Sequence, residues 1–226
     1  MLNRLELLIG KDNLEKIKNK TVLLVGLGGV GGHALESLAR SGIGNLILVD
    51  SDKIDITNLN RQLISNKHNI GLNKVDVAKE RINSISDTNI ITINEFIDKN
   101  NIEKLFEYNI DYIIDACDTV ETKYLLIKEA LERNIKIITC MGTAKKMHPE
   151  LLKIMEINKT SYDPIAKILR KKLRDNKIKG KVMCVCSLEE PKTKEMGSNS
   201  LVPSTAGILC ASYVINDIVG DLYENK

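Results

Sequence analysis

Short apolar runs alternate with amphipathic segments over the first 140 residues, and this alternation predicts the architecture. An uninterrupted apolar run, such as Val22 to Val25, is typical of a strand buried on both faces of a parallel sheet. Between the runs, apolar residues recur at helical spacing, as in the segment from Val75 to Ile85. The predicted strands are 21–25, 46–49, 90–93, 112–114 and 135–139, and the predicted helices are 12–18, a segment ending near residue 42, one around 75–85, 101–107 and 121–133.

After residue 140 the hydrophobic pattern becomes less regular. Residues 151–157 and 181–185 are the two candidate strands. Asp163 is followed by a proline, which combines a favoured N-cap with a residue well tolerated at the first helical position, so a basic helix is expected over 164–174. A closing helix is predicted over 203–219, and its polar residues favour burial in a core over a membrane span.

Strands that alternate with helices in this order favour a parallel sheet with right-handed crossovers. We therefore predict a Rossmann-like, doubly wound α/β fold with a mostly parallel sheet, helices on both faces and a mixed C-terminal extension. The chain of 226 residues contains neither an internal repeat nor a long linker, so residues 1–226 are expected to form a single domain.

The composition is that of an ordinary globular protein, with 43% hydrophobic and 28% charged residues, which excludes a disordered or collagen-like chain. Aromatic residues make up 4% and tryptophan is absent, which argues against a stacking platform for single-stranded nucleic acid. The five cysteines form no C-x-x-C pair, so we expect reduced thiols and no structural zinc. Together with an N-terminus that lacks a signal-peptide pattern, this predicts a cytoplasmic protein.

Charge is distributed unevenly along the chain. The net charge is only +3, yet the segment from Ile165 to Lys181 holds eight basic residues and one acidic residue. The rest of the chain is therefore net negative, and the asymmetry predicts an anionic partner for the basic segment. A solvated, lysine-rich surface is the alternative.

A glycine-rich turn follows the first predicted strand. Its pattern, Gly26-x-Gly28-Gly29-x-Gly31, precedes a helix, so backbone N–H groups and the helix N-terminus can face an anion. Asp50 ends the second strand, where a carboxylate can accept hydrogen bonds from ribose hydroxyls. These features predict a nucleotide site, and a dehydrogenase would satisfy them as well as an ATP-using enzyme.

The segment after Asp50 favours ATP over a dinucleotide. Arg61 offers a planar guanidinium and Lys74 a point charge, the pair expected to hold a triphosphate and its leaving pyrophosphate. In a dinucleotide enzyme, a second cationic cluster beyond the ribose carboxylate has no evident role. The alternative is that both residues form a solvated surface pair. The polar residues taken with them as nucleotide-binding are Asp52, Asn58, Asn60 and Gln62.

The segment Asp115-Ala116-Cys117-Asp118 follows the fourth predicted strand at its carboxyl end, where open parallel sheets bind their ligands. Asp118 is the candidate ligand of a Mg²⁺ ion that bridges phosphate oxygens, because magnesium usually takes one or two carboxylates together with phosphates and water. The alternative is that Asp118 caps the following helix.

In their order along the chain, these motifs resemble the ubiquitin-activating-like superfamily of adenylating enzymes, and within it the tRNA threonylcarbamoyladenosine dehydratases. The similarity runs from about residue 4 to 219, and the ordered set is far more specific than the glycine turn alone. The motifs that carry it are Gly-x-Gly-Gly-Val-Gly-Gly from residue 26, Val49-Asp50-x-Asp52, Asn58-x-Asn60-Arg61-Gln62, Lys74, Asp115-x-x-Asp118, Lys159-Thr160-Ser161-x-Asp163-Pro164 and Val202-Pro203-Ser204.

The resemblance implies an AMP-forming reaction that cyclises N6-threonylcarbamoyladenosine in the anticodon loop. It implies that Arg61 and Lys74 handle the phosphates of ATP, that Asp50 binds the ribose and that Asp118 binds Mg²⁺. Arg4 would act as a catalytic residue in the site of the partner subunit of a homodimer. A cysteine desulfurase or sulfur acceptor is left open as a further partner.

The resemblance also gives the basic helix a role. Lys167, Arg170, Lys171 and Arg174 are then expected to neutralise phosphates of a tRNA anticodon stem-loop. Three other functions stay open: adenylation of the C-terminus of a ubiquitin-like sulfur carrier, an NAD-dependent oxidoreductase, and a non-catalytic nucleotide sensor. Enzymes that serve sulfur carriers usually contain two C-x-x-C zinc pairs, which this chain lacks.

Overall fold

The computed structural model describes residues 1–220, and a seven-stranded sheet forms its centre. The strands are β1 (Thr21–Val25), β2 (Asn45–Val49), β3 (Asn89–Ile93), β4 (Tyr112–Asp115), β5 (Lys136–Cys140), β6 (Leu152–Glu156) and β7 (Met183–Ser187). Their order across the sheet is β3-β2-β1-β4-β5-β7-β6. Neighbouring strands pair in parallel except at the edge, where β6 runs antiparallel to β7.

Helices connect most of the strands and cover both faces of the sheet. Within residues 1–220 they are α1 (Asn3–Ile9), α2 (Lys11–Lys18), α3 (Gly31–Arg40), α4 (Lys74–Asn83), α5 (Val120–Glu132), α6 (Pro164–Asp175) and α7 (Leu201–Val219). This arrangement confirms the predicted doubly wound α/β fold, including its mixed C-terminal part.

Alternating side chains of β1 enter two separate hydrophobic cores. Val22 and Leu24 pack into the core that contains α3 and α7, whereas Leu23 and Val25 pack into the core that contains α5 and α6. All four side chains are buried. Because both faces of the strand meet apolar neighbours, its sequence shows no alternation of polar and apolar residues.

Several elements begin or end within two residues of the predicted bounds, and three departures illustrate the differences. Helix α1 was not predicted, because its leucines lie on both the buried and the exposed side, so the helical spacing of Leu5 and Ile9 does not stand out. The predicted helix over 101–107 is a 3₁₀ helix, Ile102–Glu107. Strand β7 begins two residues later than the sequence pattern suggested.

Helix α7 is long and apolar, and within residues 1–220 it is the one helix whose length and composition would suit a membrane crossing. In the structure it packs against α3 and the sheet. The approach is close at Gly207, where a Cβ atom would lie 2.2 Å from the carbonyl oxygen of Val30. A glycine at this position lets the two helices meet.

Candidate active site

A cavity of about 860 Å³ lies at the carboxyl ends of the parallel strands. Val25 and Val49, the last residues of β1 and β2, border it together with the turns after β4 and β5. This edge is where open α/β sheets bind ligands. The predicted site residues that the cavity brings together are Gly26, Gly28, Gly29, Asp50, Asp52, Asn58, Asn60, Arg61, Gln62, Lys74 and Asp118.

The glycine turn between β1 and α3 has no room for side chains at two positions. Gly26 has a φ of +91°, and a Cβ there would lie 2.7 Å from the carbonyl of Ala116. At Gly31, a Cβ would lie 1.8 Å from the oxygen of Gly26. The tight turn places Gly28 and Gly29 in the cavity wall beside the start of α3, where a helix N-terminus favours an anion. Gly31 does not line the cavity, and its lack of a side chain lets the turn pack closely against the start of α3.

Asp50 is a buried carboxylate held in one orientation. Its Oδ2 accepts a hydrogen bond from the backbone N–H of Leu27 at 2.6 Å, and its Oδ1 accepts one from that of Asp52 at 2.8 Å. Burial raises the pKa of Asp50, although the charge of Lys74 and the two hydrogen bonds oppose the rise. The carboxylate retains lone pairs that can accept hydrogen bonds from ribose hydroxyls.

Lys74 begins α4, and its side chain is only 6% exposed. The ammonium lies 2.7 Å from Asp52 Oδ2 and 3.9 Å from Asp50 Oδ1. The alternative of a solvated surface pair is therefore wrong for Lys74. Asp52 itself is 66% exposed, so this carboxylate can turn into solvent and free the ammonium for a phosphate.

Arg61 is half-buried in the loop that follows the 3₁₀ turn Ile56–Asn58. Its Nη1 donates to the carbonyl oxygen of Thr57 at 2.8 Å and to Oδ1 of Asn60 at 2.9 Å. Both acceptors are neutral, so these contacts orient the guanidinium without neutralising it. Asn60 also donates from Nδ2 to the carbonyl oxygen of Ser198 at 3.1 Å, which ties this loop to the segment before α7.

The two remaining amides differ in what their side chains contact. Asn58 Oδ1 accepts a hydrogen bond from the backbone of Asp55 at 3.1 Å, so Asn58 shapes the loop. Gln62 is buried, and its Oε1 has no hydrogen-bond partner within residues 1–220. Leaving a buried amide oxygen unpaired costs free energy, and a donor on a bound nucleotide would remove that cost.

Asp118 is exposed in the turn after β4 and lines the cavity. The N-cap of α5 is Thr119, so the alternative that Asp118 caps this helix is wrong. The part of the chain that the structure describes contains no group of three or more His, Cys, Asp and Glu side chains that could hold a metal ion. A single protein carboxylate is nevertheless compatible with Mg²⁺, which usually completes its shell with phosphate oxygens and water.

A buried ion pair at the floor of the cavity was missed by the sequence analysis. Lys123 of α5 places Nζ 3.1 Å from Asp115 Oδ2 and 2.7 Å from the carbonyl oxygen of Cys140, and both side chains are at most 1% exposed. Burial alone would lower the pKa of Lys123, but the Asp115 charge raises it overall. The pair ties α5 to the ends of β4 and β5. A carboxylate at the end of an apolar strand was the available signal, because such a group needs a cation.

Arg4 lies on α1 with an exposed side chain and does not line the cavity of its own chain. Helix α1 instead borders a second cavity of about 700 Å³, near the first residues of β2 and β3. Those residues are at the opposite edge of the sheet from the glycine turn.

Three of the four predicted tRNA-binding residues share one exposed face of α6: Lys167, Lys171 and Arg174. Arg170 is only partly exposed and contacts other parts of the protein, in contrast to its predicted role in tRNA binding. Its guanidinium donates to the carbonyl oxygens of Ile157 at 3.3 Å and Thr160 at 3.2 Å, so it anchors α6 to the chain after β6.

Two thiols, of which Cys117 lines the cavity, have raised pKa values. Burial, followed by the charge of Asp115, raises the pKa of Cys117. Burial also raises the pKa of Cys186 to about 11. A neutral thiol is a poor nucleophile at physiological pH.

Comparison with known proteins gives consistent matches over nearly the whole chain. The sequence model of the ThiF family matches residues 2–220. The tRNA threonylcarbamoyladenosine dehydratase of Bacillus subtilis is 42% identical, over 97% of this chain and 95% of its own length. The E. coli tRNA N6-threonylcarbamoyladenosine dehydratase in complex with ATP superposes with a TM-score of 0.90 at 32% identity, over 94% of this chain and 91% of the other. Its AMP complex matches with a TM-score of 0.89 and the same coverage.

Proposed function

The chain belongs to the ThiF family, and we infer that it dehydrates N6-threonylcarbamoyladenosine in tRNA in an ATP-dependent reaction. The observation that carries this function is the similarity to a dehydratase over 97% of the chain. The cavity fits the same chemistry, because it combines a glycine turn, a fixed carboxylate and two cationic side chains, and the similar E. coli enzyme has been crystallised with ATP and with AMP.

The reaction has two chemical steps. A carboxylate oxygen of the threonylcarbamoyl group forms a bond to the α-phosphorus of ATP, and the bond to pyrophosphate breaks. The carbamoyl group of the same substrate then attacks the activated carbonyl, closes the ring and displaces AMP. The net change in the tRNA is the loss of one water molecule.

The residues of the cavity stabilise charge and leave the nucleophile to the substrate. Lys74 and Arg61 line the cavity together with the glycine turn. In this proposal the two cations and the backbone N–H groups of the turn stabilise the negative charge that develops on the leaving pyrophosphate. Asp50 holds the ribose and thereby orients the α-phosphorus. No enzymic thiolate is needed, which agrees with the raised pKa of Cys117.

Magnesium and a second subunit complete the proposal. Asp118 would hold a Mg²⁺ ion, which supplies charge neutralisation for the phosphates. Arg4 would act in the site of the partner subunit, since it does not reach the cavity of its own chain. Co-expressing the Arg4→Ala and Lys74→Met chains tests this: a homodimer that shares its sites should regain activity, because one site of the mixed dimer then contains both residues.

The tRNA would bind along α6, where Lys167, Lys171 and Arg174 form a continuous basic face. This placement brings the phosphates of the stem-loop near the cavity, because Ile165, in the first turn of the same helix, lines it. We propose that the enzyme is cytoplasmic and consists of one domain. A cysteine desulfurase or a sulfur acceptor is proposed as a further partner, which binding assays can test.

The decisive experiment is mass spectrometry of tRNA nucleosides after incubation with the protein and Mg-ATP. We expect N6-threonylcarbamoyladenosine to lose one water with release of AMP. The Asp118→Asn variant should be slower by roughly 10²-fold and should need more magnesium, because a ligand of the charge-neutralising ion is lost. Asp12→Asn, at an exposed aspartate of α2, is the matched control.

Two outcomes would contradict the proposal. Conversion of the tRNA at an equal rate without ATP would remove the adenylation step. Pyrophosphate exchange into ATP that depends on a sulfur-carrier protein and not on modified tRNA would favour the alternative substrate.

A further inference from the structure

A second buried ion pair lies between the basic helix and the cavity, and the proposed chemistry does not use it directly. Lys146 Nζ is 3.4 Å from Asp163 Oδ2, and the two side chains are 3% and 1% exposed. Lys146 belongs to the loop after β5, and Asp163 immediately precedes α6. Burying two opposite charges carries a large desolvation cost, so their position calls for an explanation.

The two oxygens of Asp163 contact different parts of the molecule. Oδ1 accepts a hydrogen bond from the backbone of Ala166 at 2.9 Å and thereby caps α6. Oδ2 accepts one from the backbone of Gly142 at 3.1 Å. Lys146 donates to the carbonyl oxygen of the same Gly142 at 2.8 Å. A cap alone would need only one neutral acceptor, so the second oxygen and the lysine serve the link to Gly142.

The linked loop forms one wall of the active-site cavity. Gly142, Thr143 and Ala144 line the cavity, and so does Ile165 of α6. A Cβ at Gly142 would lie 3.2 Å from Asp163 Oδ2, so the loop approaches α6 closely.

The same loop is also tied to the segment before α7. The carbonyl oxygen of Lys146 accepts a hydrogen bond from Asn199 Nδ2 at 2.7 Å, and the backbone N–H of Lys145 donates to Gly197 at 2.9 Å. The loop therefore has fixed neighbours on two sides, and Asp163 is its connection to the basic helix.

We infer that Asp163 and Lys146 are positioning residues that hold the RNA-binding face of α6 at a fixed distance from the nucleotide. This inference rests on the proposed function, because it assumes that the substrate arrives attached to RNA bound along α6. The phosphates of the RNA would contact Lys167, Lys171 and Arg174 on the outer face of the helix, and the modified base would enter beside Ile165 and Gly142. A displacement of about 1 Å between reacting groups can cost about 10²-fold in rate.

The Asp163→Asn variant separates positioning from folding. Asparagine remains a good N-cap, so α6 keeps its first hydrogen bond, but its amide group cannot accept hydrogen bonds from Gly142 and Lys146. We expect the single-turnover rate with saturating tRNA and Mg-ATP to fall about 10–100-fold. The dissociation constants for ATP and for tRNA should change by less than about twofold, because neither ligand contacts the pair directly.

A matched control distinguishes this fall in rate from a general loss of stability. Glu36→Gln weakens a partly buried pair with Arg81 that joins α3 to α4 and does not line the cavity. Its turnover should match the unaltered enzyme. Lys146→Met is the second variant and is used alone if Asp163→Asn does not fold. We expect a smaller loss of rate in Lys146→Met, since Asp163 still binds Gly142.

Three results would overturn the inference. The first is an unchanged single-turnover rate in both variants. The second is a rise in the dissociation constant for ATP as large as the loss of rate, which would make the pair a support of the nucleotide site. The third is an equal loss of rate in Glu36→Gln. If the unaltered enzyme does not convert modified tRNA, the proposed function itself fails and the inference falls with it.

Discussion

Two buried lysines at opposite sides of the cavity differ in what their carboxylate partners can do. Lys74 is paired with Asp52, whose side chain is 66% exposed, whereas Lys123 is paired with Asp115, which is 0% exposed. The first pair can separate when a phosphate arrives, because water can take over the solvation of Asp52. The second pair cannot separate without leaving a charge in the core. Lys74 therefore stays available to a ligand, whereas Lys123 joins neighbouring strands of the sheet.

Replacing Lys123 with methionine should have the largest effect and act on stability. Asp115 would be left buried without its cation, which typically lowers the free energy of unfolding by about 3–5 kcal/mol. Denaturant titration measures this loss. The double variant Asp115→Asn with Lys123→Met should recover part of it, since no buried charge remains. A loss under about 1 kcal/mol would mean that Lys123 supports the fold no more than Lys74 does.

Lys74→Met should lower turnover more than it lowers the free energy of unfolding, the reverse of what is expected for Lys123→Met. Removing one electrostatic contact to the developing charge typically costs roughly 10²–10³ in turnover. The free energy of unfolding should fall less than in Lys123→Met, because Asp52 is solvated and Asp50 keeps its two backbone hydrogen bonds. Lys79→Met, on the exposed face of the same helix, is the control for turnover measured as AMP release. Normal turnover in Lys74→Met would remove this lysine from the site.

Charge reversal on α6 extends the comparison to fully exposed cations. Lys171→Glu with Arg174→Glu should weaken tRNA binding about tenfold and reduce the slope of log affinity against log salt by about 2. ATP binding should stay unchanged, since neither residue lines the cavity. Titrations at several salt concentrations measure both quantities, with Lys16→Glu and Lys18→Glu on α2 as the control. An equal fall in ATP affinity would assign α6 to the nucleotide site.

The smallest effect is expected for Cys117→Ser. Burial, together with the neighbouring Asp115 charge, raises the pKa of this thiol, so it stays protonated at neutral pH and contributes no nucleophile. Turnover should change by less than about twofold, while alkylation of Cys117 by iodoacetamide should become detectable only as the pH rises well above neutral. A large loss of turnover would reopen a mechanism through a covalent thioester.

The nucleotide side of the cavity could be predicted because its residues follow one another closely in the chain. The glycine turn, Asp50 and Lys74 each stand directly after or before an element whose apolar pattern is clear. The opposite side could not be predicted in the same way. Asp115, Lys123, Lys146 and Asp163 come from four separate segments, and nothing in their spacing along the chain indicates that they form two buried ion pairs.

Arg170 illustrates the same limit on a single helix. By composition it belongs with Lys167, Lys171 and Arg174, and one basic surface was predicted. The helix turns it toward the carbonyl oxygens of Ile157 and Thr160, so it supports α6 from within. Burial and contacts across segments decided its role, and neither is encoded in the spacing of charges.

Local patterns in the chain were enough to predict the parallel sheet and the glycine turn, because apolar runs buried on both faces and glycines at strand ends have a local physical cause. Three features became visible only in the folded chain: the pairing of β6 with β7 inside the predicted mixed C-terminal part, the two buried ion pairs, and which cations face the cavity and which support the fold. All three features depend on which distant segments of the chain pack together and exclude water. The free energy of a charged side chain depends on that burial far more than on the residues next to it in the sequence.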